Sequence, residues 1–202
     1  MYADKAEVFY PLIFPEEIRK KAEEPIPENL EHISLLTLAR LSEEKGHLMI
    51  PGITRLLLQY GYNVNWYLIG EGNIKDEIYK EIEDNAVQDH VFLLGEKNNP
   101  YPYLKNSDIF VLPTEMEGYC TATNEARVLC KPVVTTDIPQ MREQFINGNN
   151  GLLVEKTEEG FFKGIATLID APEMMKLFET ELAKTVFDNE VELNKLYRIA
   201  NE

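Results

Sequence analysis

Six short runs rich in Val, Ile and Leu recur along the chain, most of them separated by segments of helical periodicity, and this alternation restricts the fold more than any other feature. The strand candidates are His32–Leu38, Val64–Ile69, Val91–Leu94, Ile109–Leu112, Val133–Thr135 and Leu152–Val154. Several are nearly continuous in apolar residues, as strands covered on both faces of a parallel sheet should be. One helical face is marked by Ile53, Leu56, Leu57 and Tyr60. A second carries Ile74, Ile78 and Ile82 behind a capping Asn73, and a third carries Phe161, Ile165 and Leu168. Strands separated by helices of this length make βαβ units, so the expected fold class is α/β with a doubly wound parallel sheet.

The flanks depart from this rhythm. Tyr2–Pro27 holds a short apolar piece, Val8–Ile13, then a charged helix followed by Pro25 and Pro27. Glu173–Glu202 reads as two helices, the second with Asn189 and Glu192 spaced as a capping box. The expected organisation is a lead-in of short strand and helix over residues 1–30, a sheet domain over 31–170, and C-terminal helices over 171–202.

Charge and composition narrow the partners. The 35 acidic residues outnumber the 20 basic ones, for a net charge of −15. Such a surface repels nucleic acid and anionic lipid, both of which bind through neutralised phosphates. No apolar run approaches the roughly 18–20 residues of a membrane span, and Met1 opens onto Tyr-Ala-Asp-Lys, unlike a signal peptide. Cys120 and Cys130 lack CxxC spacing and read as buried thiols of a reducing compartment, so the expected location is cytoplasmic. His32, His47 and His90 are scattered without ligand spacing and no Asp-x-Asp occurs, so no metal or other cofactor is expected.

In open parallel sheets ligands bind beyond the carboxyl ends of the strands, so the loops there are the ones to read for chemistry. After the first strand, Arg40 and Lys45 can project over the strand end, either as phosphate contacts or as solvated bases. After the second, Gly70-Glu71-Gly72-Asn73 resembles the start of a dinucleotide fingerprint. Lys75 occupies its third small position, which favours a tight turn. After the fourth, Pro113–Cys120 leads into a helix near Thr121. Glu117 lies in that loop and Glu125 eight residues on, so both carboxylates can face one cleft. Gly118 permits close backbone approach, and the amides of Tyr119, Cys120, Thr121 and Ala122 can receive an anion.

Taken in order, these pieces resemble the C-terminal, donor-binding domain of the retaining GT-B glycosyltransferases. The matching segments are Leu38–Ser42 with Lys45-Gly46, Leu68–Gly72, Val91–Gly95, Asp108–Pro113, Glu117-Gly118, Glu125-Ala126, Lys131–Val134, Thr136-Asp137 and Asn147–Val154. The resemblance implies one Rossmann-like half of a GT-B fold that binds a UDP- or GDP-sugar. Glu117 would contact the transferred sugar as the catalytic carboxylate, and Glu125 would hold the ribose hydroxyls. Arg40 and Lys45 would neutralise the diphosphate, the amides after Gly118 would hold sugar and phosphate oxygens, and Gly95 with Glu96 would meet the base. The implied acceptor is a saccharide or lipid-linked saccharide, held by a first domain that the chain does not include. An intact enzyme of this kind is compatible with peripheral attachment at the inner face of the membrane. A sugar-nucleotide epimerase of the same fold and a catalytically silent binding domain are the alternatives. Three positions depart from the family pattern: Ala39 and Cys130 stand where glycine is frequent, and Cys120 where proline or another small residue is common.

Overall fold

The computed structural model describes residues 10–28 and 30–200. The first helix, α1 (Pro15–Lys21), starts on proline, carries Glu16 and Glu17 in its first turn and ends in Arg19, Lys20 and Lys21, each charge opposing the helix dipole. The strands follow as β1 (Ile33–Leu38), β2 (Val64–Ile69), β3 (Val91–Gly95), β4 (Ile109–Leu112), β5 (Val133–Thr136) and β6 (Leu152–Val154). Between and after them lie α2 (Ile50–Gln59), α3 (Lys75–Asp84), α4 (Tyr101–Asn106), α5 (Thr121–Val128), α6 (Pro139–Arg142), α7 (Glu158–Asp170), α8 (Pro172–Leu182) and α9 (Glu190–Ala200). All six strands are parallel, in the order β3-β2-β1-β4-β5-β6. The chain therefore reverses its winding direction between β1 and β4, which opens a crevice beyond their carboxyl ends.

Alternation along the strands feeds two apolar layers. Leu35, Trp66, Leu68, Ile109, Val111 and Val134 pack against Ile53 and Leu57 of α2, Ile78 and Ile82 of α3, and Phe161 and Ile165 of α7. Leu36, Tyr67, Ile69, Phe110, Leu112 and Val133 pack on the other face with Leu104 of α4 and Ala126 of α5. Trp66 is a core residue, as its strand pattern predicts. Its indole N–H donates to Thr37 Oγ1 at 3.0 Å, and Thr37 in turn donates to the Val111 carbonyl at 2.6 Å. The pair satisfies the polar groups of three adjacent strands.

The sequence reading needs correction at the margins. His32 lies outside β1 with φ of +59°, while β3 and β5 run one residue beyond their expected ends. Asn73 does not cap α3, which begins behind Ile74 without a side-chain cap. Residues 10–14 form no strand, and the start of the expected lead-in strand lies outside the described residues. Cys130 is half-buried, not buried, and holds φ at +54° in the turn after α5, the conformation for which glycine is favoured. Asn189 and Glu192 serve the lead-in in place of a capping box. The Asn189 amide accepts from Ile13 N at 3.0 Å and donates to Ile13 O at 2.7 Å, and Glu192 accepts from Tyr10 N at 3.0 Å. These contacts bind the entering segment to the last helix.

Candidate functional site

At the crevice between β1 and β4, glycine sets the spacing of the two loops. Gly46 has φ of +72°, and a Cβ there would lie 2.0 Å from the Pro113 carbonyl oxygen, so a larger residue would drive the loops apart. The closure is completed by the Glu44 carbonyl, which accepts from Glu115 N at 2.7 Å and Thr114 Oγ1 at 3.1 Å. Lys45 is thereby brought to Glu117, with Nζ 2.7 Å from Oε1 across 72 residues of sequence. The Glu117 side chain is only 6% exposed and that of Lys45 20%. Arg40, on the same loop, points outward with its side chain 71% exposed and pairs with Glu44 at 2.8 Å.

On the β2 side, the Gly70-Glu71-Gly72 loop is a tight support. A Cβ on Gly72 would lie 2.0 Å from the Leu41 carbonyl oxygen, and Leu41 N donates to Glu71 O at 3.0 Å. Lys75, which breaks the dinucleotide pattern, hydrogen-bonds Glu71 at 3.0 Å. Above this support lies a cleft of about 450 Å³ lined by Leu38, Ala39, Arg40, Ile69, Gly70 and Glu71, with Glu96 and Lys97 on its far side. Its size is that of a small-molecule site, roughly 300–1,000 Å³. Gly95 closes β3 at the edge of this cleft with φ of +69°. Lys97 is held by Glu28 at 2.8 Å, and Tyr103 OH donates to the other oxygen of Glu28 at 2.5 Å.

The third loop ends in α5, whose first residue is Thr121, as the sequence predicts. Cys120 stands at the N-cap without a side-chain cap bond, leaving the first-turn amides of Thr121, Ala122 and Thr123 without helical acceptors. Burial pushes the Cys120 thiol above its usual pKa. A Cβ at Gly118 would meet nothing within 4 Å, so the backbone is open there. Tyr119 turns its ring onto Tyr10 of the lead-in, 4.8 Å between centroids.

The two carboxylates do not share neighbours. Whereas the spacing suggests one common cleft, Glu117 is turned to Lys45, and Glu125 accepts from Tyr101 OH at 3.1 Å. Glu125 lines a separate pocket of about 270 Å³ with Leu12, Phe14, Glu17, Tyr101 and Thr121. Burial raises its pKa, and the bond from Tyr101 opposes that shift. Tyr101 and Lys97 are site neighbours that the sequence reading missed. The Asn99-Pro100-Tyr101 helix start was the only local signal, and it says nothing of Glu125.

Beneath the Lys45 loop, His47 is fully buried, and both of its ring nitrogens lack a partner among the described residues. Burial holds its pKa down at about 4, against an ordinary 6.5. The unfolded chain therefore takes up this proton at higher pH than the folded one. Stability from this group is complete above pH 6.5 and declines as pH falls toward 4, by up to about 3 kcal/mol. Urea unfolding at pH 7 and 4.5 should show this acid limb in the native chain and a shallower one in His47→Leu. Identical limbs would contradict the assignment.

Among the described residues no group of three or more His, Cys, Asp or Glu gathers in metal-binding geometry, and no helix is long and apolar enough to cross a membrane.

Comparison with known proteins converges on one family. The family profile "Glycosyl transferases group 1" matches residues 18–184. A relative from Campylobacter jejuni, N-acetylgalactosamine-N,N'-diacetylbacillosaminyl-diphospho-undecaprenol 4-alpha-N-acetylgalactosaminyltransferase, is 33% identical over 90% of this chain and 48% of its own length. The Staphylococcus aureus capsular polysaccharide biosynthesis glycosyltransferase CapM is 32% identical over 66% of this chain and 34% of its own length. The chain thus spans half or less of the length of these two relatives. Among solved structures, Anabaena Alr3699/HepE in complex with UDP-glucose superimposes with a TM-score of 0.81 at 18% identity, covering 99% of this chain and 58% of that one. The C-terminal domain of LpcC, a glycosyl transferase group 1 family protein from Francisella tularensis, superimposes with a TM-score of 0.67 at 18% identity, covering 87% of this chain and 92% of that one. With its Rossmann-like sheet matching GT-B structures and the family profile spanning most of its length, the chain belongs to the group 1 glycosyl transferases.

Proposed function

We propose that the chain is the nucleotide-sugar-binding half of a retaining glycosyltransferase that moves a hexosyl group from an NDP-sugar to a saccharide or lipid-linked acceptor. The observation that carries this reading is the Lys45–Glu117 pair at the sheet's switch point, with Arg40 on the same loop and the open N-terminus of α5 beside it. A UDP- or GDP-sugar fits this arrangement. The base would lie toward Gly95 and Glu96, the ribose at Glu125, the diphosphate at Arg40, Lys45 and the α5 amides, and the sugar at Glu117 and Gly118. The relative's acceptor, an undecaprenol-linked saccharide by its name, supports an acceptor of that class. The acceptor would be held by a further, N-terminal domain, in a cytoplasmic or membrane-peripheral enzyme.

The chemistry proposed is electrostatic. As the glycosidic bond breaks, negative charge gathers on the departing diphosphate. Guanidinium, ammonium and oriented amides already fixed in place stabilise that charge without reorganisation. Lys45 has three N–H donors, one of them engaged by Glu117, and so can link that carboxylate to a phosphate oxygen. Glu117 then orients the sugar and the ammonium together, with attack on the same face as the departing group. Neutralisation by side chains makes binding independent of divalent metal. Calorimetric titration with UDP and with UMP, in chelator and in magnesium, tests the reading. Tighter binding of the diphosphate in both buffers supports it, and an absolute magnesium requirement contradicts metal independence.

A further inference from the structure

We propose that Tyr101 is a positioning residue for donor recognition, its hydroxyl holding Glu125 Oε1 so that Oε2 stays available to the ribose. This rests on the reading of Glu125 as the ribose acceptor. The geometry is specific. Tyr101 is the first residue of α4, its backbone N–H donates to Asn99 Oδ1 at 3.3 Å, and Pro102 follows it, so the ring's origin is fixed. The half-buried ring packs on the apolar cluster of Ile13, Ile18 and Val128. Its hydroxyl reaches Glu125 across 24 residues of sequence, at the wall of the pocket.

The chemistry explains why a carboxylate there needs such a partner. Burial favours the protonated acid, which would turn one acceptor oxygen into a donor and spoil recognition of two hydroxyls. Tyr101 opposes this, because its bond is strongest to the ionised form. Its own pKa, pushed up to about 12 by burial and by Glu125, keeps the hydroxyl a donor throughout the working range. The other groups on this pocket do not replace it: Glu17 of α1 is an acid already paired with Lys21 at 2.7 Å, and Thr121 is neutral. Tyr101 thus acts through Glu125 and not on the ligand.

The test uses the 202-residue chain, its Tyr101→Phe and Glu125→Gln variants, and whichever of UDP and GDP the unaltered chain binds more tightly. Each is titrated calorimetrically at pH 7.5 and 5.5, together with the same nucleotide lacking its 2′- and 3′-hydroxyls. Tyr101→Phe should weaken the ribonucleotide about three- to tenfold at pH 7.5. The loss should grow at pH 5.5 and vanish for the dideoxy nucleotide. The phenyl ring keeps its packing, so the melting temperature should barely move. Equal losses for both nucleotides, or a full loss in Glu125→Gln with none in Tyr101→Phe, would overturn the proposal while sparing the ribose reading. No loss in Glu125→Gln would overturn both. In the unaltered chain the preference for the ribo- over the dideoxy form should be held at both pH values, and its loss at pH 5.5 would show that Tyr101 does not keep Glu125 ionised.

Discussion

Lys45→Ala should destabilise the folded chain by about 3 kcal/mol, while Arg40→Ala should leave stability within about 0.5 kcal/mol. From the sequence both bases read as surface-loop residues whose loss the fold would tolerate. The structure separates them. Arg40 is exposed and its partner Glu44 is a partly exposed i+4 neighbour, a surface pair of the kind that contributes little. Lys45 is the ion-pair partner of Glu117, whose side chain is almost wholly buried, and removing it leaves a carboxylate without its counter-ion. Glu117→Gln in the Lys45→Ala background should restore most of the lost stability, because the amide carries no charge to strand. Equal and negligible effects of the two alanine variants in urea unfolding would show that the pair holds nothing together. The pairing also sets what Glu117→Gln alone should do. Lys45 loses the contact that directs it, so this variant should weaken free nucleotide binding as well as recognition of the sugar.

The second large effect concerns turnover. The 202-residue polypeptide should bind a nucleotide-sugar and not transfer it at an enzyme's rate. Transfer requires donor and acceptor to be held in attacking contact with water excluded, a contribution of about 7–11 kcal/mol. The crevice described here is bounded by the loops of one sheet, and Arg40 stands 71% exposed at its rim. Supplying an N-terminal domain from a full-length relative, fused or in trans, should tighten donor binding and raise turnover by several orders of magnitude. Donor consumption with and without acceptor is the measurement. Rapid transfer by the polypeptide alone would contradict the proposed division of labour.

Much of this fold was legible because its central strands are buried on both faces and its edge strands are still apolar. Val64–Ile69, Ile109–Leu112 and Leu152–Val154 end where their apolar runs end, since the surrounding loops are polar or hold glycine. The loops that follow β1 and β4 could be singled out for the same reason: a doubly wound sheet leaves its crevice there. What could not be read is which side chains meet. Lys45 and Glu117 are brought together by the close approach of the Gly46 backbone to Pro113, which a side chain at position 46 would block and which has no local pattern. Tyr101 lies in a helix start with no sequence relation to α5, the helix that carries Glu125. Asn189 and Glu192 have the spacing of a capping box, and a tertiary demand, the unpaired backbone of Tyr10 and Ile13, claims them instead. His47 follows a charged loop and gives no sign of complete burial.

Calorimetric titration of the unaltered chain and of Arg40→Ala with UDP and UMP, in chelator, tests the central claim most directly. Arg40 is the suitable probe because its loss should spare the fold. The account predicts that UDP binds at least about tenfold more tightly than UMP, as expected of charge-assisted hydrogen bonds to the second phosphate worth roughly 1.5–3 kcal/mol each. It also predicts that Arg40→Ala removes most of this difference. Equal affinity for the two nucleotides, unchanged in the variant, would show that the crevice between β1 and β4 is not a diphosphate site.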